Sequence, residues 1–166
     1  TVYLGLGSNL GDSKNTLKEA LSRIENSLGV KVTKSSVYAS AALNPASNPK
    51  MNQPDFLNMA CSFKSALPPR EILSRLQIIE TSLGLVREKK GYWGPRLIDI
   101  DILSINGVIQ NDADLKIPHP EMTNRDFVLI PLQEIAPDYI HPVSKFSIAE
   151  LVGNLTAKYI KDKFPL

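Results

Sequence analysis

An α+β fold, a mostly antiparallel sheet with helices packed on its faces, is what these 166 residues predict. Three observations carry the prediction: short stretches of period-two alternation, two long stripes at helical spacing between them, and an Asn-Gly pair after the last long strand. Val2, Leu4 and Leu6 alternate with Tyr3, Gly5 and Gly7, a strand with one buried face that stops at Ser8-Asn9-Leu10-Gly11-Asp12. Leu17, Ala20, Leu21, Ile24 and Leu28 recur at helical spacing behind Asp12 or Ser13 as cap, and Gly29 closes a helix of about four turns. Val30, Val32 and Val37 predict a second strand over 30–38. Residues 39–54, rich in Ala, Asn, Ser and Pro, are too poor in apolar side chains for core and are expected to form a mobile loop over a site. Residues 55–64 predict a third strand. Pro68-Pro69-Arg70-Glu71 opens a second helix with proline in its first turn; Ile72, Leu73, Leu76, Ile79 and Leu83 form its stripe and Gly84 ends it. Residues 97–105 predict an apolar strand broken only by Asp99 and Asp101, and Asn106-Gly107 predicts a hairpin returning through Val108-Ile109. Prolines then punctuate the chain, with Pro131 inside an apolar helical segment and a short helix from about Ser147. The order β, α, β, β, α, β is that of a ferredoxin-like layer.

The length fits one domain, so residues 1–166 are expected to form a single unit. Hydrophobic residues at 43% and charged ones at 22% exclude a disordered tail or a fibrous protein. No run of about 18 apolar residues predicts a membrane-spanning helix. Lys plus Arg at 19 against Asp plus Glu at 17 gives +2, no field of the kind that drives binding to nucleic acid or anionic lipid. The single cysteine, Cys61, rules out an internal disulfide and an all-cysteine zinc site. With no signal-type leader, a reducing compartment and hence the cytoplasm is expected. The start at Thr1 without methionine predicts a piece processed or excised from a longer chain.

Residues i and i+2 of a strand share a face, so Asp99 and Asp101 project side by side with Cα atoms roughly 6–7 Å apart. Two such carboxylates can share one divalent ion or bridge two, and hard oxygen ligands suit Mg²⁺, which completes its shell from water and substrate phosphates. Taken alone, the pair is equally a solvated sheet face. The preceding segment 87–96 holds Arg87, Lys89, Lys90 and Arg96 against Glu88, a local +3 running into the aspartates. A cationic loop beside a dicarboxylate is what a nucleotide phosphate chain with Mg²⁺ requires. The lysines read as a solvated loop; Arg96, pinned by Gly-Pro, reads as functional. His119, between Pro118 and Pro120, has a restrained backbone and can donate to a phosphate oxygen, whereas His141 is expected to be a surface histidine. Phe56 and Phe127 fit a core equally well. Asn58 shares a strand face with Phe56, and a buried amide there needs partners and can read a heterocycle edge. The glycines of Gly5-Leu6-Gly7-Ser8-Asn9-Leu10-Gly11 are spaced one residue too long for a dinucleotide fingerprint, and no Walker lysine motif exists.

At these residues the chain resembles hydroxymethyl-dihydropterin pyrophosphokinase of folate biosynthesis. The likeness runs through Gly7-Ser8-Asn9-Leu10-Gly11, Asp55-Phe56-Leu57-Asn58, Trp93-Gly94-Pro95-Arg96-Leu97-Ile98-Asp99-Ile100-Asp101, Ile117-Pro118-His119-Pro120 and Asn124-Arg125-Asp126-Phe127. It implies a ferredoxin-like enzyme that moves the β,γ-pyrophosphate of ATP, its co-substrate, onto the hydroxymethyl group of a reduced pterin. By the same resemblance Asp99 and Asp101 would hold two Mg²⁺ ions, and Arg96, His119 and Arg87 would meet the phosphates as catalytic residues. Gln77, Glu80, Ile102, Lys116, His119 and Arg125 would line the ATP pocket. Ser40, Leu43, Phe56, Asn58 and Phe127 would receive the pterin, the two rings sandwiching it, and Trp93 would belong to a loop that closes over the site. The chain departs from the family at Leu85, where arginine is common, at Tyr92, and at Ser40-Ala41-Ala42 in place of Thr-Pro-Pro; Lys89 and Lys90 are both candidates to replace the missing cation. The expected partners are ATP and reduced pterin, with fusion to or association with other folate enzymes and neither nucleic acid nor membrane. Two rivals remain at this level: a sensing module that binds ligand without Mg²⁺ or product, and a nucleotidyl transferase that releases pyrophosphate instead of AMP.

Overall fold

The computed structural model describes residues 1–84 and 95–166. Val2, Leu4 and Leu6 bury one face of the first strand, β1 (Val2–Ser8). Asp12 caps α1 (Ser13–Leu28) by accepting from Asn15 N, and Gly29 ends it at φ 64°, a left-handed turn open to a residue without Cβ. The single strand expected over 30–38 is two, β2 (Thr33–Lys34) and β3 (Val37–Ser40), both paired with β4 (Phe56–Phe63). Between them the register against β4 moves by one residue. Ser35 spans the irregularity: its N donates to Ala60 O, and its Oγ accepts from Ala60 N. Ala39 and Ser40, expected in the loop, thus complete β3.

Proline opens α2 (Pro69–Ser82), and β5 (Asp99–Ile105) begins two residues later than the alternation predicts. Asn106-Gly107 does turn the chain, with Val108 N donating to Ile105 O at 3.0 Å. Of the pair only Gly107, the second central residue, has positive φ, at 76°, whereas the two-residue turns that fold a strand back on its predecessor need positive φ at the first. The strand expected at Val108-Ile109 therefore does not form. Instead β6 (Gln110–Asn111) pairs with β7 (Lys116–Ile117) in a separate ribbon. Then come α3 (Asp126–Ile135), with Pro131 inside it, and α4 (Ile148–Gly153), whose start is a reciprocal capping box between Ser147 and Glu150. A last strand, β8 (Ile160–Phe164), joins the sheet beside β3; its Lys161-Asp162-Lys163 centre is exposed, and nothing in it alternates as a half-buried strand does.

The main sheet runs β5-β1-β4-β3-β8, every neighbour antiparallel, with β2 beside β4. With β2 and β3 taken as one strand, the third strand lies between the first and second, the ferredoxin-like arrangement. Leu17, Ile24, Leu76 and Ile79 from α1 and α2 pack against Leu4, Leu6, Cys61, Ile100 and Ile102 on one face. On the other, Leu129 and Leu132 of α3 and Ile148 and Leu151 of α4 pack over Tyr3, Ala60 and Leu103. That second cover spans one end of its face and leaves the other end open. Among the described residues no helix is long and apolar enough to cross a membrane.

Candidate functional site

On the half-covered face the register sets Asp99, Gly7, Asn58 and Tyr38 in one row and Asp101, Gly5 and Ala60 in the next. The glycines keep the floor between the carboxylates and Asn58 low. A Cβ on Gly7 would stand 3.0 Å from Asn58 Oδ1, and one on Gly5 3.3 Å from a Leu103 methyl. Over this floor opens a cavity of about 630 Å³, within the ordinary range of small-molecule sites. It brings together Ser40, Leu43, Phe56, Asn58, Arg96, Asp99, Asp101, His119, Arg125 and Phe127, all singled out by the sequence.

Four other expected residues do not line this cavity. Glu80 is fully buried in α2 and accepts from Ile100 N at 2.8 Å, so its carboxylate steadies the start of β5 from the opposite face. Ile102 points into the core under α1 and α2, Gln77 is half-buried on α2, and Lys116 is exposed on β7. Arg87 and Trp93, with Lys89, Lys90, Leu85 and Tyr92, lie outside the described residues.

The polar residues of the cavity are held by a chain of contacts. Asn9, buried to 4% exposure, accepts from Arg96 N through Oδ1 at 2.8 Å, while its own N donates to Arg96 O at 3.1 Å. Its Nδ2 donates to Gln53 Oε1 and Pro54 O at 3.1 and 3.0 Å, tying the loop before Phe56 to the turn before Asp99. Arg96 Nη1 meets Asp99 Oδ2 at 3.0 Å, a partly buried ion pair that fixes guanidinium and carboxylate together. Asn58 Nδ2 donates to Ser40 Oγ at 2.7 Å, which anchors the amide against β3. His119 N donates to Leu103 O at 2.8 Å just after the cis Ile117–Pro118 bond. Its Nδ1 accepts from Glu121 N, so the neutral ring carries its proton on Nε2. His141, by contrast, is buried at 7% exposure and not on the surface, and burial lowers its pKa from the ordinary 6.5.

Three residues here escaped the sequence reading. Asn9 was visible only as part of a turn, because its partners stand 44 to 87 positions away. Asp114 lines the cavity wall with its carboxylate bound by Arg70 Nη1 and Nη2 at 3.0 and 3.1 Å, and those hydrogen bonds hold it below its ordinary pKa. Asp126, 3% exposed, accepts from Phe127 N at the head of α3 and from Tyr159 N and Ile160 N. Its sequence signals are an acid in the first turn of a helix and its place in the Asn124–Phe127 segment, neither of which shows the partners at 159 and 160.

Among the described residues no cluster of three or more His, Cys, Asp or Glu gathers to enclose a metal. The same-face pair Asp99 and Asp101, open to a cavity, suits a cation that takes two protein oxygens and completes its shell from substrate and water, as Mg²⁺ does.

Residues 3–137 match the family model of 7,8-dihydro-6-hydroxymethylpterin-pyrophosphokinase. A 2-amino-4-hydroxy-6-hydroxymethyldihydropteridine pyrophosphokinase of Aquifex aeolicus is 39% identical over 158 residues, 95% of this chain and 94% of its own. Its namesake in Haemophilus influenzae is 42% identical over 154 residues, 92% of this chain and 91% of its own. The folic acid synthesis protein FOL1 of Dictyostelium discoideum is 39% identical over 154 residues, and there this chain spans only 22% of the relative's length. An HPPK-DHPS solved in complex with substrates shares the fold, with a TM-score of 0.63 at 18% identity over 92% of this chain and 42% of that one. The chain belongs to the 7,8-dihydro-6-hydroxymethylpterin-pyrophosphokinase family.

Proposed function

We propose that this chain transfers pyrophosphate from ATP to the hydroxymethyl group of 6-hydroxymethyl-7,8-dihydropterin in folate biosynthesis, releasing AMP. The observation that carries the reading is one cavity with two chemically distinct ends: Arg96, Asp99, Asp101 and His119 at one, Ser40, Phe56, Asn58 and Phe127 at the other. The hydroxymethyl oxygen attacks the β-phosphorus in line, a new O–P bond forms, and the bond to the α-phosphate oxygen breaks as AMP leaves. Asp99 and Asp101 would hold two Mg²⁺ ions, which when bound neutralise charge on the phosphate oxygens. Arg96, fixed by Asn9 and Asp99, offers a preorganised cation to those oxygens, and His119 offers its Nε2 proton. Asn58, anchored by Ser40, reads the pterin edge, while Phe56 and Phe127 stack on its faces. Closure of the segment 41–54, which follows β3 and reaches the cavity at Leu43, would exclude water and prevent wasteful hydrolysis. Most of the rate then comes from positioning and charge neutralisation.

Residues 1–166 act as one pyrophosphokinase unit, a unit that relatives carry nearly alone and within longer chains. Its place of work is the cytoplasm, where Cys61, buried with its thiol pushed up to about 12, stays an unreactive core residue.

Incubation with Mg-ATP and hydroxymethyl-dihydropterin, with adenine nucleotides resolved by chromatography, tests the reading. AMP is expected in step with pterin consumption and absent without pterin. Pterin binding without AMP would leave a sensing module, and released pyrophosphate a nucleotidyl transferase.

A further inference from the structure

We infer that Tyr159, on the approach to β8, is a positioning residue that sets the Phe127 ring and thereby the affinity of the pterin end of the site. The inference rests on the proposed function. It concerns a segment beyond residue 137, where the family match ends.

Between Ala39 and Ser40 the register of β3 against β8 shifts, leaving Lys161 as an extra residue on the edge strand. Such a bulge bends a strand and re-aims its side chains. Lys161 Nζ lies 2.8 and 2.9 Å from the two carboxylate oxygens of Asp55, the residue before Phe56. Tyr159 O accepts from Ala41 N at 2.9 Å, fixing the chain just after Ser40. Tyr159 N donates to Asp126 Oδ2 at 2.7 Å, and the other oxygen of that buried carboxylate accepts from Phe127 N at 2.7 Å. The Tyr159 ring meets the Phe127 ring edge-on, with centroids 5.8 Å apart and planes at 75°. Within three residues the chain therefore grips three walls of the same end of the cavity.

Backbone ties alone would not select the side chain at 159; the ring contact does. The χ2 torsion of phenylalanine is broad, and a ring that stacks on a flat ligand must be held in one plane. The T-shaped contact with the Tyr159 ring supplies that restraint before the ligand arrives, so binding does not have to order the ring. Without it the penalty falls mainly on the pterin: Asp99 and Asp101 stand on β5 at the opposite edge of the sheet from β8, and of the expected ATP residues only Arg125, whose guanidinium lies 5.9 Å from the centre of the Phe127 ring, shares this wall.

The test compares wild type, Tyr159→Leu and Tyr159→Phe as full chains, reading KM for each substrate and the Kd of pterin alone by fluorescence. Leucine keeps an apolar body but no aromatic ring; phenylalanine keeps the ring. Tyr159→Leu should raise KM and Kd for pterin about two- to tenfold, the range of an edge-to-face pair, with a smaller change in KM for ATP and Tyr159→Phe close to wild type. Thermal unfolding of both variants identifies a folding defect, and Tyr159→Phe still decides the case if the leucine variant is unstable, because a pterin KM raised by removal of the hydroxyl alone overturns the ring argument. Unchanged pterin binding in Tyr159→Leu, or equal rises for both substrates, also overturns it. Wild type that turns over while Tyr159→Leu matches it sinks this inference alone; wild type that neither binds pterin nor forms AMP sinks the pyrophosphokinase reading with it.

Discussion

Asp99 and Asp101 share a face, but only Asp99 is ion-paired with Arg96. Since Asp99 stands 3.0 Å from Arg96 Nη1, Asp99→Ala removes a carboxylate and breaks that ion pair together. Asp101→Ala leaves that pair intact and tests the metal-holding assignment more cleanly. Each substitution is expected to abolish most turnover, with circular dichroism unchanged because neither side chain belongs to a core cluster. Near-normal turnover in both would remove the two-metal assignment. Gly7 tests the other end of the cavity. A methyl there lands 3.0 Å from Asn58 Oδ1, tighter than ordinary contact, so the amide, held on its other side by Ser40 Oγ, must shift by a few tenths of an ångström. Gly7→Ala should raise KM for pterin roughly tenfold, about the effect of one displaced hydrogen-bonding group, with KM for ATP little changed. Equal KM values for pterin in wild type and variant would take the pterin contact away from Asn58.

At the scale of elements, what was legible is what is encoded locally. Val2, Leu4 and Leu6 state the period of β1, and Leu17, Ala20, Leu21 and Ile24 that of α1; both then form as read, because the side chains that alternate are the ones buried. Asp99 and Asp101 were legible for the same reason, since i and i+2 share a face whatever the sheet around them. The division of β2 from β3 was not, because the group that Ser35 bonds, Ala60, lies 25 positions away. The strand after Asn106-Gly107 failed on backbone torsion: with Gly107 left-handed and Asn106 not, the turn is not a hairpin turn, and the chain leaves β5 and pairs in the ribbon. β8 was illegible because an edge strand with charged, exposed residues has no buried face to declare itself. Asn9, Asp126 and Tyr159 share this difficulty, their functional sense residing in partners remote in sequence.

The molecule is a sheet with one face fully covered and the other covered at one end, and function occupies the end left open. The cover over the second face is also where acid should act. His141, in the link from α3 to α4, is buried beside the bridge between Ile140 and Ser147, and its Nδ1 accepts from Ser144 N at 3.1 Å. A charged ring would lose that acceptor and stand in a dry place, so burial lowers its pKa from 6.5. Between the lowered folded value and 6.5 the unfolded chain binds more protons than the folded one, and stability therefore rises with pH through that window and is complete above it. Glu134 acts lower on the scale. Burial alone would raise its pKa, but hydrogen bonds from Tyr38 and Ser36 outweigh burial and hold it below 4.5, so its stabilisation is present above 4.5 and fades beneath. From pH 6.5 down to 4.5 the His141 effect is thus separable. The thermal midpoint of the wild type should fall across that interval, while His141→Asn, which keeps an acceptor for Ser144 N and cannot be protonated, should stay nearly level. Parallel slopes in the two proteins would locate the acid sensitivity elsewhere than in the α3–α4 link.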